Sequence, residues 1–353
     1  MKYHLSLLSI ICNDGRWLRE WLEYYLLLGV EHFYLYDHKS TDETDSVLLP
    51  YILKGQVTYT FIPDEVPLSE LDSLLCKYYN EGLELARKET RWLAIVDPDE
   101  FLVPLQTKNL PSLLISYEKY GGLAVNWQVF GTSGIEKLPL HVSLVQSLFR
   151  KAPVRHSLNQ HVKLILQPLR VKELKTPREA VYEEEWFTVD TNHQKVEGGV
   201  NPNIPVNVLQ VNHYFTRDRD YFVKVKVPRR AGYGTDPFVV VQWESEMNAV
   251  TDGSIHRFVP LLKKKLEFDR FPLHYNWEFY VGMYPDLVKM GIDTEEKAVA
   301  HWLAYGEKER RISAFNWRHY LSMNIDLARS GINTEALALK HWLARGRYER
   351  RPL

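Results

Sequence analysis

Two carboxylates one residue apart, Asp97 and Asp99, close the short apolar run Trp92 to Val96 and lead into Glu100-Phe101. A run of this length, rich in branched residues, reads as a buried strand. In an extended chain alternate residues point the same way, so the spacing predicts that Asp97 and Asp99 face one side together. Pro98 ends the ladder and stiffens the turn. Two carboxylates at the carboxyl end of a strand in an α/β sheet stand where such sheets bind ligands. With diphosphate oxygens they suit a hard divalent cation, Mg2+ or Mn2+. Spacing alone is weak evidence. Asp218-Arg219-Asp220 repeats it with no apolar strand before it, and a solvated turn closing a strand would look the same.

The elements around this pair alternate. Leu5 to Ile11 reads as a first strand, and Cys12-Asn13-Asp14-Gly15 as the turn after it. Arg16 to Leu28 has the period of an amphipathic helix, ended by Gly29. Phe33 to Tyr36 is a second strand ending on Asp37. Ser40-Thr41-Asp42 offers an N-cap for a helix over 43–53, Gln56 to Ile62 a third strand, and Leu71 to Lys88 a long helix. Alternation of this kind predicts a mostly parallel sheet with helices on both faces. Right-handed crossovers then bring Asn13, Asp14, Asp37, Asp97 and Asp99 to one rim. No Gly-x-Gly-x-x-Gly or Walker motif occupies the turns, which argues against a standard Rossmann dinucleotide site or an ATPase.

Composition sets wider bounds. The 353 residues are 45% apolar and 25% charged, with 13% aromatic and a formal net charge of -1. That is ordinary globular chemistry, with no general electrostatic pull on nucleic acid or an anionic membrane. Two cysteines, Cys12 and Cys76, make no disulfide framework and suit a reducing compartment. The apolar run Leu5 to Ile11 is too short for a membrane span and lacks a small-residue cleavage site. The expectation is a cytoplasmic protein.

Five ordered blocks give the chain a likeness. Cys12 to Trp21, Gly29 to Asp37 with Ser40-Thr41-Asp42, Asp97 to Phe101, Asn126 to Gly134, and His161-Val162-Lys163 followed by Asn212 to Thr216 resemble a GT-A glycosyltransferase. They are most similar to glycosyltransferase family 92 and its family-2-like bacterial and viral relatives. The likeness spans about residues 1–235. Relatives often have Lys-Asn-Glu where this chain has Cys12-Asn13-Asp14. They also often carry a histidine in the segment matching Pro177 to Tyr182, where this chain has none.

The resemblance implies a GT-A fold and a metal-dependent, inverting transfer from a nucleotide sugar, expected to be a UDP-sugar, to a hydroxyl of a glycan or glycoconjugate. It implies Mn2+ (or Mg2+) on Asp99 with Asp97, and His213 as the third ligand. Asp97 would hold the ribose, the metal's water shell, or both. Lys226 and Arg229 would supply positive charge to the diphosphate, with Lys163 a further phosphate ligand. Asn13, Asp14 and Asp37 would hold the base and its ribose. Trp127 and the Gly131 to Gly134 turn would shape the sugar pocket. Asp190 and Glu184 are the candidate general bases by position, Asp190 preferred. A phosphotransferase or nucleotidyltransferase on the same sheet, or a decayed transferase serving as a carbohydrate-binding scaffold, are the alternatives.

The rest is less patterned. Leu144 to Phe149 and Val162 to Leu166 read as strands. Val239 to Val250 and Phe258 to Phe268 read as helices in a connector, 236–272. Residues 273–353 hold a repeat of about 40 residues. Asn276-Trp277, Tyr280, Asp286-Leu287, Thr294-Glu295, His301-Trp302, Gly306 and Arg310-Arg311 return as Asn316-Trp317, Tyr320, Asp326-Leu327, Thr334-Glu335, His341-Trp342, Gly346 and Arg350-Arg351. The copies, 275–311 and 315–351, read as helix pairs with Trp as core anchor and His as a hydrogen-bonded partner. Their arginines are expected to bridge to acids of the neighbouring copy. Self-association or a protein partner is the expected use.

Overall fold

The computed structural model describes residues 1–272, 274–349 and 351–353. The chain forms two compact units, Met1–Leu138 with Val142–Leu266, and Pro139–His141 with Glu267–Leu353. Among the described residues no helix is long and apolar enough to cross a membrane.

The first unit is built on one sheet. Strands β1 (Tyr3–Ile11), β2 (His32–Asp37), β3 (Val57–Phe61) and β4 (Thr90–Ile95) run parallel in the order β3-β2-β1-β4. Helices α1 (Gly15–Leu27), α2 (Thr44–Leu53) and α3 (Leu68–Glu89) connect them. Next in the chain come β5 (Glu100–Pro104), β6 (Gly122–Val129), β7 (Arg150–Lys151) and β8 (Val162–Leu166), with β8 antiparallel between β4 and β6. A hairpin, β9 (Val171–Thr176) and β10 (Glu179–Tyr182), stands off the sheet. β11 (Thr188–Val189) and β12 (Lys195–Val196) extend the sheet beyond β6. β13 (Leu209–His213) pairs parallel with β6 and antiparallel with β5, and β14 (Val250–Thr251) pairs with β7.

Side-chain alternation explains the layers. Tyr34 and Tyr36 of β2 join Leu8, Leu93, Ile95 and Leu164 under Tyr78, Tyr79, Leu83 and Ala86 of α3. Phe33, on the opposite face, meets Trp21 of α1, and Phe101 of β5 meets Tyr24 and Tyr25. The fold is the expected α/β one: a mostly parallel sheet with helices on both faces, followed by a small all-helical region.

Two local readings are corrected. β4 stops at Ile95, so Asp97-Pro98-Asp99 is a turn and strand alternation does not orient the pair. Leu144–Ser147 is a helical turn rather than a strand. Its start is capped twice: the Ser143 hydroxyl accepts from the Gln146 amide, and the buried Glu20 carboxylate accepts from the Leu144 and Val145 amides. The helices Pro237–Glu246 and Val259–Leu266 lie within the first unit.

The second unit contains the same succession twice. Trp277–Met283, Pro285–Lys289, Glu295–His301 and a π-turn Trp302–Gly306 are matched by Trp317–Met323, Ile325–Arg329, Glu335–His341 and Trp342–Gly346. Each copy therefore has three short helices and a π-turn where a helix pair was expected. Thr294 and Thr334 cap their helices. His301 bonds the Tyr280 hydroxyl at 2.8 Å and His341 that of Tyr320 at 3.0 Å. A Cβ on Gly306 or Gly346 would collide with the same hydroxyls. Arg311 pairs with Asp286 and Arg351 with Asp326, each inside its own copy rather than across to the next; Arg350 lies outside the described residues. Phe279 of the first copy joins Phe315 and Trp342 of the second, which fuses the two cores.

Tyr25 ties α1 to the strand that follows Asp99: its hydroxyl donates to the Glu100 carbonyl and accepts from the Leu102 amide, both at 3.0 Å. Tyr25→Phe removes both bonds inside the core. The expected loss is about 1–3 kcal/mol, seen as a lower urea midpoint with an unchanged slope.

Candidate active site

Register brings the charged residues together. β4 pairs with β8 at Ile95↔Leu164, so Lys163 emerges beside the residues that follow β4. β13 pairs with β5 at His213↔Glu100 and with β6 at His213↔Val129. The Tyr214 amide then donates to the Asp99 carbonyl at 2.8 Å. Asp97, Asp99, Glu100, Lys163 and His213 thus meet at the carboxyl edge of the parallel strands. Lys226 joins them from a π-turn, Phe222–Lys226, inside the helical segment that runs on to Gly232.

The Lys163 ammonium lies 2.7 Å from Asp97 and 3.0 Å from Glu100. Lys226 Nζ lies 2.6 Å from Asp99 Oδ2, and His213 Nε2 lies 3.6 Å from Asp99 Oδ1. Asp99, Glu100, Lys163 and His213 are all buried. Burial opposes the charge on Asp99, but Lys226 and then His213 outweigh it and hold the carboxyl well below the usual range. At Asp97 the same contest is decided by Lys163. Glu100 loses it: burial pushes its carboxyl up to about 8 in spite of Lys163. Burial also lowers His213 against the pull of Asp99, which leaves the neutral imidazole that binds metals near neutrality.

These residues fit a divalent cation in a particular way. Among the described residues no group of three or more His, Cys, Asp or Glu is placed to hold a metal. The expected trio of Asp97, Asp99 and His213 is divided, because Asp97 is drawn to Lys163 and accepts from the Tyr79 hydroxyl. Asp99 and His213 face each other, and His213 Nδ1 has no hydrogen-bond partner among the described residues. A carboxylate completed by substrate phosphates and water is how Mg2+ is commonly held in phosphate chemistry; the His213 imidazole beside Asp99 would add a softer ligand to that set.

The other expected ligands of a nucleoside are occupied by the protein. Asn13, with φ 55°, accepts from the Thr41 amide at 2.7 Å. Asp14 accepts from the Cys12 amide and pairs with Arg217 at 2.5 Å. Asp37 accepts from Ser40 and from the Tyr59 hydroxyl. All three fix the rim turns. Asp190 is 1% exposed and accepts from the Asn192 and Gln194 amides and the Asn201 side chain. It closes a turn, which removes it from reach of an acceptor hydroxyl. Glu184 is exposed, with φ 45°, in the turn between β10 and β11. Arg229 lies near enough to Asp99 to feel its charge.

Three residues were missed. Glu100 was read only as the end of the motif, although it shares Lys163 with Asp97. Arg217 is fully buried, its guanidinium over the rings of Tyr221 and Trp17 at 4.6 and 5.7 Å. It directly follows the Asn212 to Thr216 block, the one available signal. Arg178 acts on Asp97, lies 4.9 Å over the Trp127 ring and reaches His161 Nδ1 at 3.4 Å. It occupies the segment in which a histidine was looked for.

Comparison with known proteins agrees with this geometry. The family model described as "Glycosyltransferase family 92" matches residues 8–197, more than half of the chain. A family 92 protein of Ricinus communis is 26% identical over 252 residues, covering 70% of this chain and 40% of its own length. One from Oryza sativa subsp. japonica is 25% identical over 291 residues, covering 81% and 44%. The chain thus spans less than half the length of these curated relatives. Among solved structures, S. aureus TarS 1-349 in complex with UDP-GlcNAc is 15% identical, with TM-score 0.31, covering 56% of this chain and 60% of its own. Glucosyl-3-phosphoglycerate synthase from Mycobacterium tuberculosis, in complex with Mg2+ and UDP, is 15% identical with TM-score 0.24, covering 35% and 44%.

Two measurements check the electrostatics. Lys163→Met leaves Asp97 and Glu100 without their shared cation and should cost about 3–5 kcal/mol of stability, read by urea denaturation at pH 7. Burial and then Arg178 lower His161 to about 4. Between its unfolded value near 6.5 and 4, only the unfolded chain binds that proton, so stability falls as pH drops through this window. His161→Asn should flatten the wild-type slope there and leave stability above pH 7 nearly unchanged.

Proposed function

The chain belongs to glycosyltransferase family 92, and we propose that it moves a sugar from a UDP-sugar to a hydroxyl of a glycan or glycoconjugate, with inversion at the anomeric carbon. The observation that carries this reading is the Asp97–Asp99 turn at the carboxyl edge of the sheet, held ionised by Lys163 and Lys226. Breaking the bond between sugar and diphosphate loads negative charge onto the leaving group. Lys226 stands at the site to receive it, and Arg229 and Arg230 add to the local field. Asp99 and His213 are the residues that would hold Mn2+ or Mg2+, which when bound acts as a Lewis acid on the diphosphate. Asp97, oriented by Lys163 and Tyr79, addresses the ribose or the metal's water shell. Asn13, Asp14 and Asp37 serve the base by fixing the turns that wall its pocket. Of the two carboxylates considered as base, Glu184 keeps an exposed side chain and is the candidate. The second unit would mediate self-association or bind a partner protein.

Calorimetric titration with UDP, with and without Mn2+, tests the reading against its rivals. Metal-dependent UDP binding is expected. A decayed scaffold would bind a glycan but no nucleotide, and a nucleotidyltransferase would favour a nucleoside triphosphate. Asp99→Asn should lower transfer by about 10²–10³-fold, together with a lower melting temperature because Lys226 loses its buried partner. Full transfer by the variant, or by wild type in EDTA, would remove the metal role.

A further inference from the structure

Two arginines at the candidate site face no anion of the protein. Arg178 stands in the turn of the β9–β10 hairpin, where its amide donates to the Thr176 hydroxyl at 3.1 Å. Asn80 of α3 pins that hairpin: its side chain accepts from the Leu174 amide at 2.8 Å and donates to the Leu174 carbonyl at 2.9 Å. The Arg178 guanidinium lies 4.9 Å over the Trp127 ring and donates to His161 Nδ1 at 3.4 Å. Arg230 comes from the helical segment that follows Lys226, and its guanidinium lies 5.2 Å over the Phe215 ring. These two rings flank His213, with centroids 4.3 Å away for Trp127 and 5.6 Å for Phe215.

The carboxylates nearby are already taken. Lys163 pairs with Asp97, Lys226 with Asp99 and Arg217 with Asp14. Among the described residues neither Arg178 nor Arg230 has a carboxylate within ion-pair distance. Both are half-buried. Burial, and then the charges of Arg178 and Arg229, depress the Arg230 guanidinium. His161, lowered by burial to about 4, is neutral at pH 7, so it accepts from Arg178 without cancelling its charge. Like charges crowded together and partly withdrawn from water cost free energy, which an anion set among them would recover.

Sheet order says where that anion belongs. Asp37 ends β2, Asn13 and Asp14 follow β1, Asp97 follows β4, His161 precedes the antiparallel β8, and Trp127 stands near the carboxyl end of β6. The order β2-β1-β4-β8-β6 thus leads along one edge from the turns expected to wall the base, past the Asp97–Asp99 turn, to the ring under Arg178. Arg229 feels Cys12, on the nucleoside side. Arg178 and Arg230 both act on His161, on the far side, where the sugar would follow the diphosphate. We propose that Arg178 and Arg230 bind an acidic sugar: a carboxylate or phosphate carried by the sugar being transferred or by the acceptor residue that meets it. The planar guanidinium fork matches either group. This rests on the glycosyltransferase reading.

The test uses the full chain with Mn2+ and has two arms. In the first, calorimetry compares UDP-glucuronic acid with UDP-glucose. In the second, NMR titration with UDP present compares the methyl glycosides of glucuronic and galacturonic acid, and glucose-6-phosphate, with the methyl glycosides of glucose and galactose. In at least one arm the acidic sugar should bind about 10–100-fold more tightly than its neutral counterpart. A preference in the first arm assigns the acid to the donor sugar, and one in the second assigns it to the acceptor. Arg178→Gln should cut the preference to about twofold or less, and affinity for UDP itself should stay within about twofold of wild type. Arg178→Lys should keep part of the preference. Equal binding of acidic and neutral sugars in both arms, or a preference that survives Arg178→Gln, overturns the inference and leaves the donor reading standing. A matching loss of UDP affinity in Arg178→Gln makes Arg178 a diphosphate ligand and overturns it too. If wild type binds no UDP, the transferase reading falls and the acidic-sugar assignment with it.

Discussion

Three carboxyls crowd one buried turn, and the structure exists because that charge is answered. Taking ions out of water costs several kcal/mol apiece, recovered only with close, well-placed partners. Lys163 answers Asp97 from β8, the one strand inserted antiparallel between β4 and β6, and also touches Glu100, whose carboxyl burial pushes up to about 8. A parallel strand in that place would start at the far edge of the sheet. The reversed strand delivers its first residues, and hence the ammonium, to the ligand edge. Lys226 answers the third from a segment outside the sheet. The result is a rim whose anionic turn is neutralised while further cations, Arg178, Arg217, Arg229 and Arg230, surround it.

The parallel core was legible because each strand and helix announces itself locally. Apolar runs ending in Asp37 and Asp97, and the helical period of Trp17 to Tyr25, are patterns within a window of a few turns. The reading failed where a residue's role is set by a distant partner. Asp190 and Glu184 looked alike in sequence; two hydrogen bonds from its own turn and one from Asn201 make the first a structural residue. Leu144 to Phe149 read as a strand, but Glu20, more than a hundred residues earlier, caps its start as a helical turn. Arg217 and Arg178 resembled any solvated arginine until the fold stacked them on Tyr221 and Trp127. The Asp97–Asp99 pair was recognised with an incomplete reason: a turn and two lysines, not strand alternation, orient it.

The π-turn gives a useful contrast. It carries Lys226 to Asp99, and such irregularities often mark functional sites. Here it also recurs at Trp302–Gly306 and Trp342–Gly346, where a glycine meets a tyrosine hydroxyl and the histidine that bonds that tyrosine belongs to the core. The same backbone device serves packing in one unit and reach in the other, so the charged neighbours decide its meaning.

β13 is hydrogen-bonded to β5 on one edge and to β6 on the other, and His213 is its last residue. Slipping this five-residue strand by one position would turn His213 away from Asp99 and expose a different set of side chains on both neighbours. The connection before it, 197–208, is tied down as well: Asn201 and Ile204 are buried, and the Asn201 side chain donates to Asp190 and Asn126. Within β13 itself, an insertion or deletion of a single residue would part His213 from Asp99 and shift the strand against two neighbours at once.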